Sequence, residues 1–218
     1  LLNEGIAESA IAVTGNTVID ALLDVSSRPF EIAGSPLETI PFDTRRIVLV
    51  TAHRRESFGG PFESICKGLA ELARKYADDI ELVYPVHRNP NVRAVVGKYL
   101  ADLPNVRLLD PLDYLPLVHL MKRAYLVLTD SGGLQEEAPS LGKPVLVMRK
   151  VTERQEGVEA GTLKLVGMDA DDIVREASRL LDDPAAYQAM ATRANPYGDG
   201  SASIKIVQKI LADLGPAA

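Results

Sequence analysis

The sequence predicts a doubly wound α/β domain built on a parallel sheet. Short, continuous apolar runs alternate along the chain with stretches of helical periodicity. The runs are apolar at every position, the mark of strands covered on both faces. At 218 residues, 46% of them hydrophobic, the chain is long enough to bury a core without a disulfide or metal staple.

Residues 1–13 are short and mixed. Gly15-Asn16 reads as a turn, with Asn16 or Thr17 capping a helix that carries Val18, Ile19, Leu22 and Leu23. Ser26, Ser27, Pro29, Gly34, Ser35, Pro36 and Pro41 make residues 26–44 linker-like, the best candidate boundary in the sequence. Ile47–Val50 is the first strand. Pro61 then opens a helix whose inner face is Phe62, Ile65, Cys66, Leu69, Leu72, Ala73 and Tyr76. Ile80–Val86 is the second strand, and Asn89-Pro90 caps and starts the next helix, with Val92, Val95, Val96 and Tyr99 inward. Val106–Leu109 is a third strand, followed by a helix over Tyr114–Arg123. Tyr125–Thr129, Val145–Met148 and Leu163–Val166 complete the strands, with a short helix over Leu134–Leu141 between the first two. Three helical stretches end the chain, the last around Ile204–Leu214 and polar on one face.

Lysine and arginine number 24 against 30 aspartates and glutamates, a net charge of −6. Such a chain has no general electrostatic attraction for nucleic acid or anionic lipid. The apolar runs fall far short of a membrane span. The single cysteine, Cys66, excludes an intrachain disulfide and fits a reducing cytoplasm. The opening Leu1-Leu2-Asn3-Glu4 lacks a methionine and a signal peptide, and is expected to be a cut inside a longer protein.

Ligands of open α/β sheets bind beyond the carboxyl ends of the strands. The residues that follow those ends are His53-Arg54-Arg55-Glu56, His87-Arg88-Asn89, Asp110-Pro111-Leu112, Asp130-Ser131-Gly132-Gly133 and Arg149-Lys150 with Thr152-Glu153-Arg154. Two of three histidines and much of the basic charge gather on that one edge. Ser131-Gly132-Gly133 lies between a strand and a helix. Bare glycine backbone there can approach a diphosphate, aided by the helix dipole; a tight turn with Ser131 as N-cap fits the spacing equally. Glu136 and Glu137 are expected in the first helical turn, either complementing that dipole or accepting from sugar hydroxyls. His53-Arg54-Arg55-Glu56 is either a solvated charged loop or an anion-recognition and acid–base cluster. His119 sits within an apolar helical pattern and reads as structural; Cys66 reads as a core residue. The sequence has no zinc-site spacing and no Walker loop.

The stretches HRRESFG (53–59), VYPVHRNPNVR (83–93), LTDSGGLQEEAPSLGKPVLVMR (128–149), TERQEGVEAGTLKLVG (152–167), NPYGDG (195–200) and VTGNTVIDAL (13–22) together resemble the non-hydrolysing bacterial UDP-N-acetylglucosamine 2-epimerases. The resemblance covers nearly the whole chain. It implies two Rossmann-like domains facing a cleft, as in glycosyltransferases of the B type, usually paired as homodimers. It implies interconversion of UDP-N-acetylglucosamine and UDP-N-acetylmannosamine without any cofactor, by elimination and return of UDP with exchange of the C2 proton, for surface polysaccharide synthesis. It assigns Ser131, Gly132 and Gly133 to the diphosphate and Glu137 to the ribose. Arg154 matches a nucleotide-sugar position, and His53 matches the active-site histidine. In some members the HRRE segment and the later histidine touch a second, activating substrate molecule, here His53, Arg54, Glu56 and His87. No metal is implied.

Two positions that pack on uracil, often a polar residue and an aromatic, read Leu112 and Leu117 here, which leaves backbone contacts to the base. The usual TERPE reads Thr152-Glu153-Arg154-Gln155-Glu156, so a turn normally stiffened by proline is expected to loosen. The family's amino-terminal domain, which supplies the carboxylates for C2 proton transfer, is absent from this sequence. The expected organisation is a remnant of that domain over 1–15, a crossover helix and linker over 16–44, a Rossmann-like UDP-binding domain over 45–200, and a crossing helix over 201–218. Such a chain binds UDP and is inactive alone. A UDP-sugar sensor without chemistry and a retaining glycosyltransferase domain are the alternatives.

Overall fold

The structure is a computed structural model that describes residues 1–214; residues 215–218, the end of the expected crossing segment, lie outside the described residues. Two short 3-10 turns, Leu2–Glu4 and Glu8–Ala10, lead into helix α1 (Thr17–Ser27), whose N-cap Asn16 accepts from the Val18 N–H at 3.0 Å. Strand β1 (Arg46–Thr51) is followed by a 3-10 turn at Arg55–Ser57 and helix α2 (Gly60–Lys75). Strand β2 (Ile80–Pro85), helix α3 (Pro90–Leu100), strand β3 (Val106–Leu109) and helix α4 (Tyr114–Arg123) continue the alternation. Then come β4 (Leu126–Thr129), α5 (Gly132–Ser140), β5 (Val145–Val147), α6 (Gln155–Glu159) and β6 (Leu163–Leu165). Helices α7 (Ala170–Asp182), α8 (Pro184–Ala191) and α9 (Ala202–Leu214) close the described chain.

The six strands are all parallel, in the order β3-β2-β1-β4-β5-β6. Their side chains alternate between two cores. Val48, Val50, Leu82, Tyr84, Leu126 and Leu128 meet α2, α3, α7 and α8 on one face. Ile47, Leu49, Val83, Val127, Val145 and Val147 meet α1, α4 and α5 on the other. Burial on both faces is the reason the strands read as unbroken apolar runs. Each fully buried Leu, Ile or Phe contributes about 1.5–3 kcal/mol to folding. Gly68 lets α2 lie directly on α7, since a Cβ there would sit 3.0 Å from the Ala170 Cα.

The Pro- and Ser-rich segment after α1 is pressed onto the sheet. Its Leu37 and Ile40 are buried with Leu22, and Phe30, Ile32 and Phe42 pack around them. Helix α9 is held at its start, where the Ala202 and Ser203 N–H groups donate to Asp20, but only Ala202 is buried. Ile204, Val207, Ile210, Leu211 and Leu214 are all at least half exposed, an apolar stripe turned to solvent. Among the described residues no helix is long and apolar enough to cross a membrane.

Candidate functional site

The strand order reverses between β1 and β4, so the crevice at their carboxyl ends is where a doubly wound sheet takes a ligand. The two strand ends are tied together there. The Thr51 and Thr129 hydroxyls lie 2.6 Å apart, and Thr129 Oγ1 also accepts from the Ser131 N–H at 2.9 Å. Asp130 is fully buried, and its Oδ2 accepts from the His53 and Arg54 backbone N–H groups, both at 2.7 Å. Its Oδ1 is buried without a hydrogen bond, 3.7 Å from His53 Nδ1. This clamp sets the start of the HRRE loop and places the half-buried His53 ring over the crevice. The exposed ring of His87, arriving from β2, stacks on it at 5.1 Å with an interplanar angle of 6°.

Helix α5 opens at Gly132, and Ser131 stands at the N-cap position without giving its hydroxyl to the helix. The tight-turn reading places Ser131 at this cap, as the structure does, but a side-chain cap bond is missing. Without it, the first N–H groups of α5 and the positive end of its dipole are left for another acceptor. The Arg154 guanidinium lies across this helix start, where a Cβ on Gly132 would be 3.2 Å from its Cζ. Arg154 is held by Glu136, Nε to Oε1 at 2.8 Å, and Glu136 Oε2 accepts from Asn16 Nδ2 at 2.6 Å.

The early start of α5 corrects the expected position of the two glutamates. They fall in the second turn, where a dipole role is weak. They also separate in function. Glu136 spends both oxygens on Arg154 and Asn16. Glu137 is buried, accepts from the Tyr114 hydroxyl at Oε1 (2.6 Å), and directs Oε2 toward Gly133. Burial pushes the Glu137 carboxyl above the usual range; the Tyr114 hydrogen bond opposes the shift and the Glu136 charge adds to it. Burial, then the bond to Glu137, raises the Tyr114 phenol, so it stays a donor.

Arg149 is buried and braces the two loops that flank the crevice. Its Nε donates to Glu56 at 2.6 Å, and its Nη1 and Nη2 donate to Glu153 at 2.8 and 3.1 Å. The hydrogen bonds from Arg149 hold the Glu153 carboxyl down at about 2. The TERQE turn is tight: Gln155 Nε2 donates to the Thr152 carbonyl at 2.6 Å, and the Thr152 hydroxyl donates to the buried Gln135 at 2.5 Å. Gln155, at the position where proline is usual, thus ties the turn with a side-chain hydrogen bond.

Leu112 and Leu117 are half-buried and pack against the core beneath the β3 loop. His119 is buried, stacks on Phe30 at 4.7 Å and lies away from the strand ends on α4; burial lowers its pKa. Burial pushes the Cys66 thiol up to about 12, as suits a core position. Among the described residues no group of three or more His, Cys, Asp or Glu is arranged to hold a metal ion. A cleft of about 670 Å³, bordered by Val13, Gly15, Leu23, Ser140, Asn195 and Lys205, carries neither the histidine pair nor the glycine turn.

Sequence reasoning put Asp130 and Arg149 on the ligand edge without giving either a role, and missed Tyr114 as a site residue. The available signal was position: Asp130 and Arg149 each immediately follow a buried apolar run, and Tyr114 opens the helix after the β3 loop.

The sheet order and the uncapped, arginine-flanked helix start define the class: a Rossmann-like α/β domain whose strand-end edge suits an anionic ligand. A family model described as UDP-N-acetylglucosamine 2-epimerase matches residues 1–211, and the chain belongs to that family. The probable UDP-N-acetylglucosamine 2-epimerase of Ralstonia nicotianae is 57% identical over 217 residues, covering 97% of this chain and 58% of the relative. The UDP-N-acetylglucosamine 2-epimerase of Escherichia coli K12 is 54% identical over 215 residues, covering 96% and 57%. The chain thus spans somewhat more than half the length of these curated relatives. Among solved structures, the Neisseria meningitidis epimerase bound to UDP-GlcNAc superimposes with a TM-score of 0.89 at 45% identity, over 97% of this chain and 58% of that one. A glycosyltransferase of lipopolysaccharide biosynthesis, WaaG, matches at a TM-score of 0.56 and 19% identity over 77% of this chain and 47% of its own, a likeness of fold alone.

Proposed function

We propose that this chain is the carboxy-terminal, UDP-binding half of an enzyme that interconverts UDP-N-acetylglucosamine and UDP-N-acetylmannosamine. The observation that carries the reading is the uncapped start of α5, with Arg154 across it and the buried Glu137 beside it. Ser131, Gly132 and Gly133 hold the diphosphate through backbone N–H groups. Arg154 adds charge there, and Glu137 accepts from the ribose hydroxyls. Leu112 and Leu117 floor the uracil site. A Methanocaldococcus jannaschii relative, 28% identical over 98% of this chain and 57% of its own, was solved with UDP-GlcNAc and UDP.

The reaction breaks the C1–oxygen bond, and UDP carries away the electron pair as the C2 proton is removed. That leaves a glucal. UDP then adds back and a proton returns to the opposite face of C2. UDP's departing charge is stabilised at the helix start, where preorganised donors act without rearrangement. His53, steadied by Asp130 and stacked by His87, faces the sugar as the catalytic histidine. Arg54, Glu56 and His87 form the edge that takes a second, activating substrate molecule. The acid and base on the two faces of C2 come from the other half of the protein, since this chain supplies one wall of the cleft. The solvent-facing stripe of α9 packs against that half. The whole enzyme works as a cytoplasmic homodimer, needs no redox cofactor, and feeds surface polysaccharide synthesis.

The test is proton-exchange NMR of UDP-N-acetylglucosamine in deuterated water. This chain alone binds UDP by calorimetry but leaves C2 undeuterated; adding the other half starts exchange. Deuterium at C2 with this chain alone overturns the division of labour.

A further inference from the structure

We infer that Tyr114 is a positioning residue for nucleotide recognition: by holding one oxygen of the Glu137 carboxylate, it turns the other toward the Gly133 edge, where a ribose would lie. The inference rests on the proposed UDP site and adds to it a residue that touches no ligand.

The argument starts from the carboxylate. Glu137 is 6% exposed, yet among the described residues it meets no arginine or lysine: its neighbour Glu136 is already engaged by Arg154 and Asn16. Tyr114 supplies its hydrogen bond, at 2.6 Å to Oε1. Among the described residues Oε2 receives none, and it lies 3.7 Å from where a Cβ on Gly133 would stand. A carboxylate has room for several acceptor bonds, and burying one with a single partner is costly unless another donor arrives. The oxygen left open is the one beside the glycine edge of the helix start. Tyr114 is also placed to link two helices. It is the first residue of α4, directly after the β3 loop that carries Leu112, and it reaches across to the second turn of α5. The groups facing Glu137 are therefore Tyr114 from α4 and Glu136 from its own helix. Removing the phenol leaves only influences that favour protonation, namely burial and the Glu136 charge.

The test is Tyr114→Phe, which keeps the ring and removes the hydroxyl. Tyr114 is 39% exposed, so the substitution leaves the core intact, and an unchanged melting temperature verifies this. Calorimetry with UDP and with inorganic pyrophosphate is run on wild type and variant from pH 5 to pH 8. UDP affinity is expected to fall about three- to tenfold at pH 7, the scale of one ordinary hydrogen bond, because Tyr114 acts on the nucleotide only through Glu137. Pyrophosphate affinity, which does not use Glu137, stays within about twofold on the same grounds. The pH below which the variant loses UDP affinity relative to wild type moves upward, because a Glu137 without its donor protonates sooner. Unchanged or tighter UDP binding with an unchanged pH profile overturns the inference, and tighter binding would mean that Tyr114 plugs the carboxylate instead of aiming it. Equal losses for UDP and pyrophosphate overturn it too, by making Tyr114 a general support of the loop. Failure of wild type itself to bind UDP refutes the site, a result separable from all of these.

Discussion

Replacing Gly133 separates a glycine kept for the backbone from one kept for a ligand. A Cβ at this position would meet only Glu137 Oε2 at 3.7 Å and Ser131 Oγ at 3.9 Å, ordinary contact distances, and its backbone is not left-handed. Gly133→Ala therefore fits, and replacing glycine inside a helix stabilises by up to about 1 kcal/mol. Gly133→Asp also fits. Its carboxylate comes within roughly 5–6 Å of that of Glu137, a repulsion between about 1 and 3 kcal/mol across the span from water-like to protein-surface screening. An acid in the first turn returns about 0.3–1 kcal/mol through the dipole. The net effect on folding is a small loss. The ligand sees something different: a methyl covers the exposed N–H edge, and a carboxylate adds charge against a diphosphate. Scanning calorimetry should show Gly133→Ala melting at or above wild type and Gly133→Asp a few degrees below, while titration calorimetry shows UDP weakened by the first and abolished by the second. A folded Gly133→Asp that binds UDP like wild type removes the helix start from the site.

Glu137→Gln should raise the melting temperature at neutral pH while weakening UDP more than pyrophosphate. Because burial raises the folded-state pKa of Glu137 above its ordinary value of 4.5, its ionisation opposes folding. The gain from Gln is absent below that ordinary value, grows as pH rises through the raised one, and is then constant, which melting curves across pH can follow. Gly157→Ala should destabilise by about 1–3 kcal/mol through overpacking, because its Cβ would sit 2.5 Å from Leu163 Cδ1 and 2.9 Å from the Tyr197 hydroxyl; denaturant melts would show it, and wild-type stability would mean the β6 edge shifts freely.

The frame of the fold was readable because local rules and burial agree. Val106–Leu109 and Tyr114–Arg123 have the expected bounds, and Asn16 and Asn89 cap as their positions suggest. Two of the misses have tertiary causes and one has a local cause. Helix α6 is one short turn, held by Gln155 on the Thr152 carbonyl and by the Gly157 N–H on the Tyr197 hydroxyl, partners that helical periodicity cannot reveal. Helix α5 starts earlier than the sequence predicts, because the poor helix propensity of glycine hides its first turn, and Glu136 and Glu137 fall one turn later as a result. The role of Asp130 does not show in the sequence because it is defined by the backbone at 53 and 54, brought to it by the pairing of β1 with β4.

The packing of Cys66 makes this chain its own stopwatch. The only thiol of this chain lies on the inner face of α2, fully enclosed and held far from its reactive form. An alkylating reagent in solution can reach it only when that helix lifts from the sheet. The ratio of its labelling rate in native and denatured protein therefore reads out the opening free energy with no tag and no engineered probe. A ligand that binds only the closed form slows the labelling in proportion to its occupancy. Nucleotides can thus be ranked by mass spectrometry of one intact, unmodified species.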